Sequence, residues 1–398
     1  MQSTRLNIVF LVSRFPFPLT KGDRLRAYYQ IKELSKKHNV HLIALSDTKI
    51  KESDKKELEP YCASIHIQRL SKPGIYFRLI WTYLFSDLPL QVSYFFSGKN
   101  KKKIVRVIDD INPNIVYCQL VRTSEYCKEI THIPKYIDLM DAMSAGMQRR
   151  MENSSFYERW IWKEETHRLK KYEHQVLAYF EGVSIISAAD QSRIINYNNP
   201  EITVVPNGVD TTYFRFIEER PSKTLLFTGN MSYPPNIESA LYLATVILPI
   251  VHQKDPHVKL VIAGAHPTKK IRSLSSNRIT VTGWTEDIRK YYDEAAVFMA
   301  PMLIGSGLQN KLLEAMACGI PCITSTLANN SLGAKENSEI LIGHSANEYA
   351  DLAQELLNNK SRAQEIGKMG YTFVKNQYNW NSSVLILEMD FNDIVKTT

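Results

Sequence analysis

The chain has 398 residues, of which 44% are hydrophobic and 23% charged, and its formal net charge is +8. This length exceeds the size at which one hydrophobic core stops growing, and the composition excludes a disordered or fibrous protein. Because no apolar run reaches about 20 residues and the start is unlike a leader, the sequence predicts a cytoplasmic protein. Five cysteines without a pair of CxxC motifs predict neither a zinc site nor a disulfide framework.

The excess positive charge lies in the first half of the chain. Residues 1–208 hold 31 Lys and Arg against 22 Asp and Glu, whereas residues 209–398 hold 18 against 19. A single basic run such as residues 99–103 is most often a solvated helix face. The bias over half the chain predicts an anionic partner, either an anionic membrane surface or a phosphate-bearing acceptor, and no nucleic acid because no nucleic-acid-binding motif is present.

Strand-like and helix-like segments alternate through the first half. Residues 6–13 are a short apolar run rich in β-branched side chains, and residues 24–37 follow with helical spacing. Such alternation predicts a parallel sheet covered by helices on both faces. The other predicted strands are 40–45, 64–70, 115–118, 136–139, 183–187 and 202–205, and the other helices are 102–111, 156–180 and one from 188.

Residues 75–90 form an aromatic-rich segment whose only charges are Arg78 and Asp87. Its length favours a buried or surface-docked helix over a membrane span, and most such stripes are core. In a basic half of the chain, a helix lying in a membrane interface is the second interpretation.

The alternation restarts after the turn sequence Pro206-Asn207-Gly208. Two such halves predict an α/β protein with two doubly wound Rossmann-like domains facing a central cleft, with ligands at the carboxyl ends of the strands. The predicted domains are residues 1–208 and 209–378, followed by a terminal helix in residues 379–398. Predicted strands are 225–228, 258–263, 279–281, 297–300, 321–324 and 339–342, and helices are 236–251, 288–295, 310–317, 346–357, 362–376 and 383–395.

The strongest functional pattern is a glycine-containing loop ahead of a helix that begins near Asn310. Free amide groups and the positive end of a helix dipole bind phosphate. Lys311 stands in the first turn, where a cation opposes the dipole, so its presence favours an anionic ligand. Glu314, three residues later, can accept hydrogen bonds from two vicinal hydroxyls, as a ribose presents. An ordinary intrahelical ion pair of these two residues is equally compatible with the spacing.

The loop after the first predicted strand is a second candidate site. Gly22 permits close backbone approach at a helix start, while Lys21, Arg24 and Arg26 bring positive charge. A simple turn and helix start is the alternative, but the first loop of a doubly wound domain favours a site.

Several motifs resemble one enzyme family. Residues 313–321 (LEAMACGIP) are similar to the LEAMAxGxP segment of the retaining GT-B glycosyltransferases of the large family-4 type, the group 1 glycosyl transferases, which build bacterial lipopolysaccharides, capsules and exopolysaccharides. Residues 206–210 (PNGVD), 283–288 and 378–380 (YNW) also resemble that group. The resemblance spans most of the chain and is strongest from Pro206 onward. It implies that residues 1–208 bind the acceptor, that residues 209–378 bind the nucleotide sugar, and that the final helix crosses back to the first domain.

The resemblance also implies site residues. Lys311, Glu314, Asp141 and Gly22 are the expected catalytic residues, although Asp141 before a helix could be only an N-cap. Donor-binding residues are expected to be Asn207, Gly229, Asn230, Gly283, Trp284, Thr285, Ser306, Gly307, Leu308, Gln309, Asn310, Lys311 and Glu314. Acceptor-side residues are expected to be Arg14, Lys21, Gly22, Asp23, Arg24, Asp138 and Asp141.

Two departures from the family pattern concern the donor site. The family's first glutamate would fall at position 306, where this chain has Ser306, and residues 229–236 offer no cation after the first strand of the second domain. Both gaps fit a subgroup with GSGxxxK in this loop, in which Lys311 supplies the charge for the diphosphate.

The implied function is transfer of a hexose-type sugar from a UDP- or GDP-sugar to a glycan or lipid-linked oligosaccharide acceptor, with retention of configuration. No D-x-D triplet is present, so we expect no metal, and no cofactor other than the nucleotide diphosphate sugar as co-substrate. The expected location is cytoplasmic, at the inner face of the cell membrane. The alternatives are a catalytically silent nucleotide-sugar-binding protein and, with less support because G-x-G-x-x-G is missing, a dinucleotide-dependent oxidoreductase.

Overall fold

A computed structural model describes residues 5–152, 154–194, 201–220, 223–305 and 307–397. The chain forms two compact units. The first unit comprises Met1–Pro206 and Ser383–Thr398, and the second comprises Asn207–Ser382. All five cysteines are free thiols.

The first unit is built on a parallel sheet that, over the described residues, has seven strands in the order β3-β2-β1-β4-β5-β6-β7. Residues of β1 alternate between two apolar clusters: Val9 and Leu11 pack in one, Ile8 and Phe10 in the other. The sheet is therefore buried on both faces, as the continuous apolar runs predicted. The strands are β1 Asn7–Val12, β2 Asn39–Ser46, β3 Ser64–Arg69, β4 Ile115–Gln119, β5 Lys135–Asp138, β6 Gly182–Ile185 and β7 Ile202–Val204.

Helices cover both faces of this sheet. Sequence patterns predicted α1, α5, α7 and α8, whereas α2 and α6 had no predicted counterpart. The aromatic segment 75–90 is divided between α3 and α4, with Pro89 at the start of α4. The helices are α1 Gly22–Leu34, α2 Glu52–Lys56, α3 Lys72–Phe85, α4 Leu90–Phe95, α5 Gly98–Ile111, α6 Met143–Glu152, α7 Phe156–Leu177 and α8 Ala188–Ile194, with 3-10 turns at Glu59–Tyr61 and Val121–Tyr126.

The second unit holds a parallel sheet with the order β10-β9-β8-β11-β12-β13. The strands are β8 Thr224–Thr228, β9 Lys259–Ala263, β10 Ile279–Val281, β11 Val297–Ala300, β12 Cys322–Thr324 and β13 Leu341–Ile342. The helices are α9 Pro234–Tyr242, α10 Leu248–Lys254, α11 Lys269–Arg272, α12 Arg289–Glu294, α13 Asn310–Ala317, α14 Thr326–Leu332, α15 Ala346–Asn358 and α16 Lys360–Gln377.

Helices α9 and α10 join through a π-helical turn, Leu243–Ile247, into one helical stretch. This stretch, Pro234–Lys254, is long and apolar enough to cross a membrane, with a mean hydropathy of 1.2. More than half of its apolar window (56%) is buried inside the protein, and a helix in the core of a soluble protein also has this length and hydropathy. The sequence predicted a helix over 236–251 but no apolar run of about 20 residues, whereas this helical stretch has 21 residues.

The final helix, α17 Trp380–Thr397, contributes Val384, Leu387 and Phe391 to a core cluster of the first unit. Tyr136 also donates a hydrogen bond of 2.7 Å to Asp390. Burial of this apolar face explains why residues after 382 belong to the first unit.

In each sheet the strand order reverses at one point, between β1 and β4 in the first unit and between β8 and β11 in the second. Ligands of open α/β sheets bind beside the carboxyl ends of the strands at such a point. The loops after β1, β8 and β11 lie at these positions, and they are the loops that the sequence analysis selected.

Candidate donor and acceptor sites

The loop between β11 and α13 forms the first part of the donor-side candidate. Gly305 has φ +94°, a left-handed conformation that favours glycine. Ser306 lies outside the described residues. Gln309 precedes α13, but its side chain does not cap that helix and instead donates a 2.8 Å hydrogen bond to the Gly307 carbonyl. A β-carbon at Gly307 would meet no atom within 4 Å, so the loop leaves open space in front of the helix.

Lys311 points inward from the first turn of α13 and is only 9% exposed. Its ammonium donates a hydrogen bond to Asn236 Oδ1, and its Nζ atom lies 4.8 Å from the centre of the Phe227 ring. Burial lowers the pKa of Lys311 to about 7, although the charge of Glu314 acts in the opposite direction. A buried ammonium whose hydrogen-bond acceptor is a neutral amide would gain from an anionic ligand.

Glu314 is held by a different neighbour. Its Oε2 accepts a 2.6 Å hydrogen bond from the hydroxyl of Tyr292, which is itself 2.8 Å from Thr228 Oγ1. Burial raises the pKa of Glu314 to about 7, while the Tyr292 hydrogen bond and Lys311 lower it. The alternative of an intrahelical ion pair is therefore wrong: over the described residues, Lys311 and Glu314 each bond to a neutral side chain instead of to each other.

The loop after β8 fixes the partner of Lys311. Asn236 is buried at the start of α9 and donates a 2.9 Å hydrogen bond to the Asn230 carbonyl, which fixes its Oδ1 towards the ammonium. The Asn230 side chain closes its own turn by accepting from Ser232. A β-carbon at Gly229 would lie 2.6 Å from Asn236 Nδ2, so this position admits only glycine without a shift.

Two further predicted donor residues meet near α13. Asn207 is buried, and its Nδ2 lies 3.1 Å from Oδ1 of Asn310, the first residue of the helix. Leu308, by contrast, packs against the apolar core of the second unit. Asn310 and Asn207 are thus positioned by each other, whereas Leu308 has a packing role.

The predicted base-side residues follow β10. Gly283 has φ +70°, and the indole of Trp284 is 67% exposed. Thr285 donates a 3.1 Å hydrogen bond to the Asp287 carbonyl. Asp287 in turn forms a bidentate pair with Arg289, whose nearer contact is 2.7 Å. An ordered turn therefore presents one large exposed aromatic ring.

In the first unit, cations cluster around the loop after β1 and the start of α1. We define the cationic cluster as Arg14, Lys21, Arg24 and Arg122. Arg14 pairs with Asp23, and Arg122 Nη1 lies 3.9 Å from the same carboxylate. Although burial raises the pKa of Asp23, the charges of Arg14 and Arg122 lower it overall. Asp23 is thus held by two of the four cations, while Asp47 and Asp54 act on Arg24 and Asp141 acts on Arg122.

Lys21 and Gly22, at the end of this loop, are exposed to solvent. Lys21 is exposed at the N-cap position of α1, and burial together with Arg14 lowers its pKa. A β-carbon at Gly22 would meet only Met140 Cε, at 4.0 Å. The protein fold therefore does not require glycine here, and the open space leaves room for a ligand.

Asp138 and Arg26 lie away from this open loop. Both side chains are fully buried and form a bidentate pair, with Nε to Oδ2 at 2.6 Å and Nη2 to Oδ1 at 3.0 Å. Ser184 adds a third hydrogen bond to the Asp138 carboxylate. Arg26, expected to bring positive charge to a binding site, and Asp138, expected on the acceptor side, are instead buried in a pair that ties α1 to the sheet.

Asp141 lies on the exposed side of the same strand end. It follows Met140, a non-glycine residue with φ +61°. Desolvation by the surrounding protein, with the charge of Asp190, raises the pKa of Asp141 to about 6, while Arg122 lowers it. The N-cap alternative has no support, because the Ser144 amide at the start of α6 donates to Glu173.

Three positioning residues had no sequence signal. Asn236 and Tyr292 hold Lys311 and Glu314, but they lie 75 and 22 residues away in sequence. Arg122 follows β4, the neighbour of β1, so the strand order would have identified it. Among the residues described by the structure, no group of three His, Cys, Asp or Glu could hold a metal ion.

In a comparison with known proteins, one family model matches part of the chain. Residues 222–359 match the family described as "Glycosyl transferases group 1". The match lies within the second unit. The chain is 24% identical over 395 residues to an "Uncharacterized 44.6 kDa protein in cps region" of Klebsiella pneumoniae, covering 93% of this chain and 96% of that protein.

A second relative has a described activity. The chain is 28% identical over 235 residues to the "GDP-mannose-dependent alpha-(1-6)-phosphatidylinositol monomannoside mannosyltransferase" of Mycobacterium tuberculosis, a match that covers 50% of this chain and 58% of that enzyme. These relatives support a glycosyltransferase over the oxidoreductase alternative.

Solved structures support the GT-B fold of this chain. Sucrose-phosphate synthase from Thermosynechococcus elongatus superposes with a TM-score of 0.73 at 14% identity, covering 98% of this chain and 100% of that one. Anabaena HepE in complex with UDP and glucose gives 0.66 at 13% identity, with 97% and 99% covered. Two parallel-sheet Rossmann-like domains with the GT-B architecture are thereby confirmed.

Proposed function

We propose that the glycosyltransferase moves a hexose from a UDP- or GDP-sugar to a glycan or lipid-linked acceptor, with retention of anomeric configuration. Surface polysaccharide biosynthesis is the proposed setting, supported by the relative from a cps region. We propose residues 1–208 as the acceptor domain, residues 209–378 as the nucleotide-sugar domain, and action without a metal at the inner face of the cell membrane. The mannosyltransferase relative uses GDP-mannose and the HepE structure holds UDP, which supports both nucleotides as candidates.

The observation that carries this proposal is the arrangement of Lys311 and Glu314 on α13. Lys311 is a buried cation at an uncapped helix N-terminus. A diphosphate beside it would restore the charged ammonium and satisfy the free amides. Glu314 keeps one carboxylate oxygen on Tyr292, so the other can accept a ribose hydroxyl.

In the proposed reaction the bond between C1 of the sugar and the diphosphate oxygen breaks, and a bond from C1 to the acceptor oxygen forms on the same face. Lys311 and the amides at the start of α13 stabilise the negative charge that develops on the leaving diphosphate. The acceptor proton passes to the leaving phosphate. Asp141, exposed and with a pKa of about 6, is the proposed acceptor-side carboxylate.

The test is a panel of UDP- and GDP-sugars, first for thermal stabilisation and then for transfer to a glycolipid acceptor, with and without EDTA. We expect stabilisation by one nucleotide series and a product with the donor's anomeric configuration, read by proton NMR. An inverted product contradicts retention. Binding without hydrolysis or transfer across broad acceptors supports the catalytically silent alternative.

A further inference from the structure

Helix α3 presents its apolar side outward. Only Ile75 and Thr82 of its 14 residues are buried. We define the aromatic face as the large apolar side chains of α3 and the start of α7 that are 56–83% exposed. They are Tyr76, Phe77, Ile80, Trp81, Leu84, Phe85, Phe156, Tyr157 and Trp160. The core interpretation of this segment is wrong, and an exposed apolar patch of this kind marks an interaction site.

Polar contacts hold α3 in this orientation. Arg168 on α7 donates to the carbonyls of Thr82, Tyr83 and Ser86 at the end of α3, the shortest distance being 2.7 Å. Thr82 Oγ1 lies 2.7 Å from Ser93 Oγ on the inner side of the helix. The fold therefore fixes the inner side by hydrogen bonds, and the apolar side is left for another partner.

A cavity of about 840 Å³ in the first unit connects this face with the cationic cluster. That volume is within the range of about 300–1,000 Å³ typical of ligand sites. One end is lined by the cationic residues Arg14, Lys21 and Arg24. The other end is lined by apolar side chains of α3 and α7, among them Leu79, Leu84 and Trp160.

The residues that line the cavity carry more positive than negative charge, because Arg14, Lys21 and Arg24 stand against one lining carboxylate, Asp47. Arg14 also pairs with Asp23, which lies outside the lining. The Nε atoms of Arg24 and Arg122 are buried without a hydrogen-bond partner among the described residues. Unpaired buried guanidinium atoms are costly unless a ligand supplies acceptors, so this end fits an anion.

A basic rim continues this charge towards α3. Lys49, Arg69 and Lys72 line a second cavity of about 590 Å³, which shares Asp47 and Thr48 with the first. Lys72 is also the first residue of α3. Positive charge therefore flanks the apolar region, as expected for recognition of an anionic amphiphile.

We propose that this cavity binds a lipid that carries a phosphate group, with the phosphate at the cationic cluster and the hydrocarbon chain between α3 and α7. The role of this lipid as the acceptor rests on the proposed function. The hydrocarbon chain of the lipid leaves the cavity past Ile80 and Leu84. Both side chains line the cavity and belong to the aromatic face.

The test measures binding of decyl phosphate, below its critical micelle concentration, to the full chain by isothermal titration calorimetry. Decyltrimethylammonium, which keeps the decyl chain but carries a positive charge, is the control for the headgroup charge. Inorganic phosphate, which has no decyl chain, is the control for the hydrocarbon. We expect decyl phosphate to bind about tenfold or more tightly than either control, because only this ligand satisfies both ends of the cavity.

Two matched pairs of variants locate the site. Leu84→Gln alters a cavity-lining residue that is 61% exposed, and Phe77→Gln alters a residue of α3 outside the lining that is 71% exposed. Lys21→Gln removes a lining cation, and Lys32→Gln removes a cation further along α1. We expect Leu84→Gln and Lys21→Gln each to weaken decyl phosphate binding about fivefold or more, and both controls to stay within about twofold.

The proposal is overturned if decyl phosphate binds no more tightly than inorganic phosphate, which would indicate a site for a free anion. It is also overturned if Phe77→Gln and Leu84→Gln weaken binding equally, which would indicate adsorption to the outer face. Stabilisation by UDP or GDP, measured on the same samples, separates the two claims. Nucleotide binding without lipid binding contradicts only the lipid site, and lipid binding without nucleotide binding contradicts only the acceptor role.

Discussion

The two units of this protein hold the charged residues of their candidate sites in opposite ways. In the second unit, Lys311 and Glu314 are each bonded to a neutral side chain, Asn236 and Tyr292, inside a packed region. In the first unit, the cationic cluster surrounds Asp23 in a loop that is open to a large cavity. The second unit is thus organised around a small number of fixed groups, as a nucleotide site requires. The first offers excess charge beside apolar walls, which suits a less polar ligand.

The largest effect on activity is expected from the loss of Lys311. Lys311→Met removes the buried cation while keeping an unbranched side chain of similar length. We expect kcat/KM for sugar transfer to fall about 10³-fold, because the leaving diphosphate loses its positive partner. Steady-state kinetics checks this against Lys290→Met, which changes an exposed lysine of α12. Equal activities of both variants would refute a diphosphate role for Lys311.

Two glycines test the contrast in backbone packing. A β-carbon at Gly264 would lie 1.9 Å from the Gly229 carbonyl oxygen, whereas one at Gly22 would have only ordinary contacts. We expect Gly264→Ala to lower the free energy of unfolding by about 3 kcal/mol or more, and Gly22→Ala to change it by less than about 0.5 kcal/mol. Urea unfolding measures both, and similar values for the two variants would contradict the described geometry.

Asp141 tests whether the first unit contributes to the chemistry. With a pKa of about 6, its carboxylate form predominates above that pH. We expect kcat/KM to fall below pH 6 in the unmodified protein and Asp141→Asn to be about 10²-fold less active at neutral pH, without that acidic limb. Asp138→Asn is no control, since it breaks the pair with Arg26. An unchanged pH profile in Asp141→Asn would exclude the residue from the reaction.

The smallest expected effect is on the pH dependence of stability. Lys311 has a pKa of about 7 when folded, below its ordinary value of 10.5. Between these values the unfolded chain binds more protons, so the free energy of unfolding rises with pH by up to about 1 kcal/mol per unit. Lys311→Met should remove this contribution. Parallel slopes for the two proteins in urea unfolding from pH 7 to 10 would contradict the lowered pKa.

Much of the fold could be predicted from the sequence. Apolar runs such as residues 6–13 gave strands within one or two residues of β1, because both faces of a parallel sheet are buried. The glycine-containing loop before α13 could also be predicted, since glycines and a helix start are adjacent in the chain, and its binding of phosphate stays a prediction. Local patterns therefore sufficed where the structure depends on local chemistry.

The remaining features depend on contacts between distant residues. Tyr292 and Glu314, or Arg26 and Asp138, are paired by tertiary packing that no spacing rule reveals. The sequence left the orientation of α3 open between a buried and a surface-docked helix, because an aromatic stripe has the same sequence whether it faces a core or solvent. In the structure the hydrogen bonds of Arg168 and Thr82 fix the side that faces inward.

The central claim is that Lys311 and Glu314 hold a nucleoside diphosphate. Isothermal titration calorimetry of UDP and GDP with the unmodified protein, Lys311→Met and Glu314→Gln tests it most directly. We expect one nucleotide to bind the unmodified protein and both variants to lose about tenfold or more in affinity. If neither nucleotide binds, or if both variants bind as tightly as the unmodified protein, the assignment of this site is contradicted.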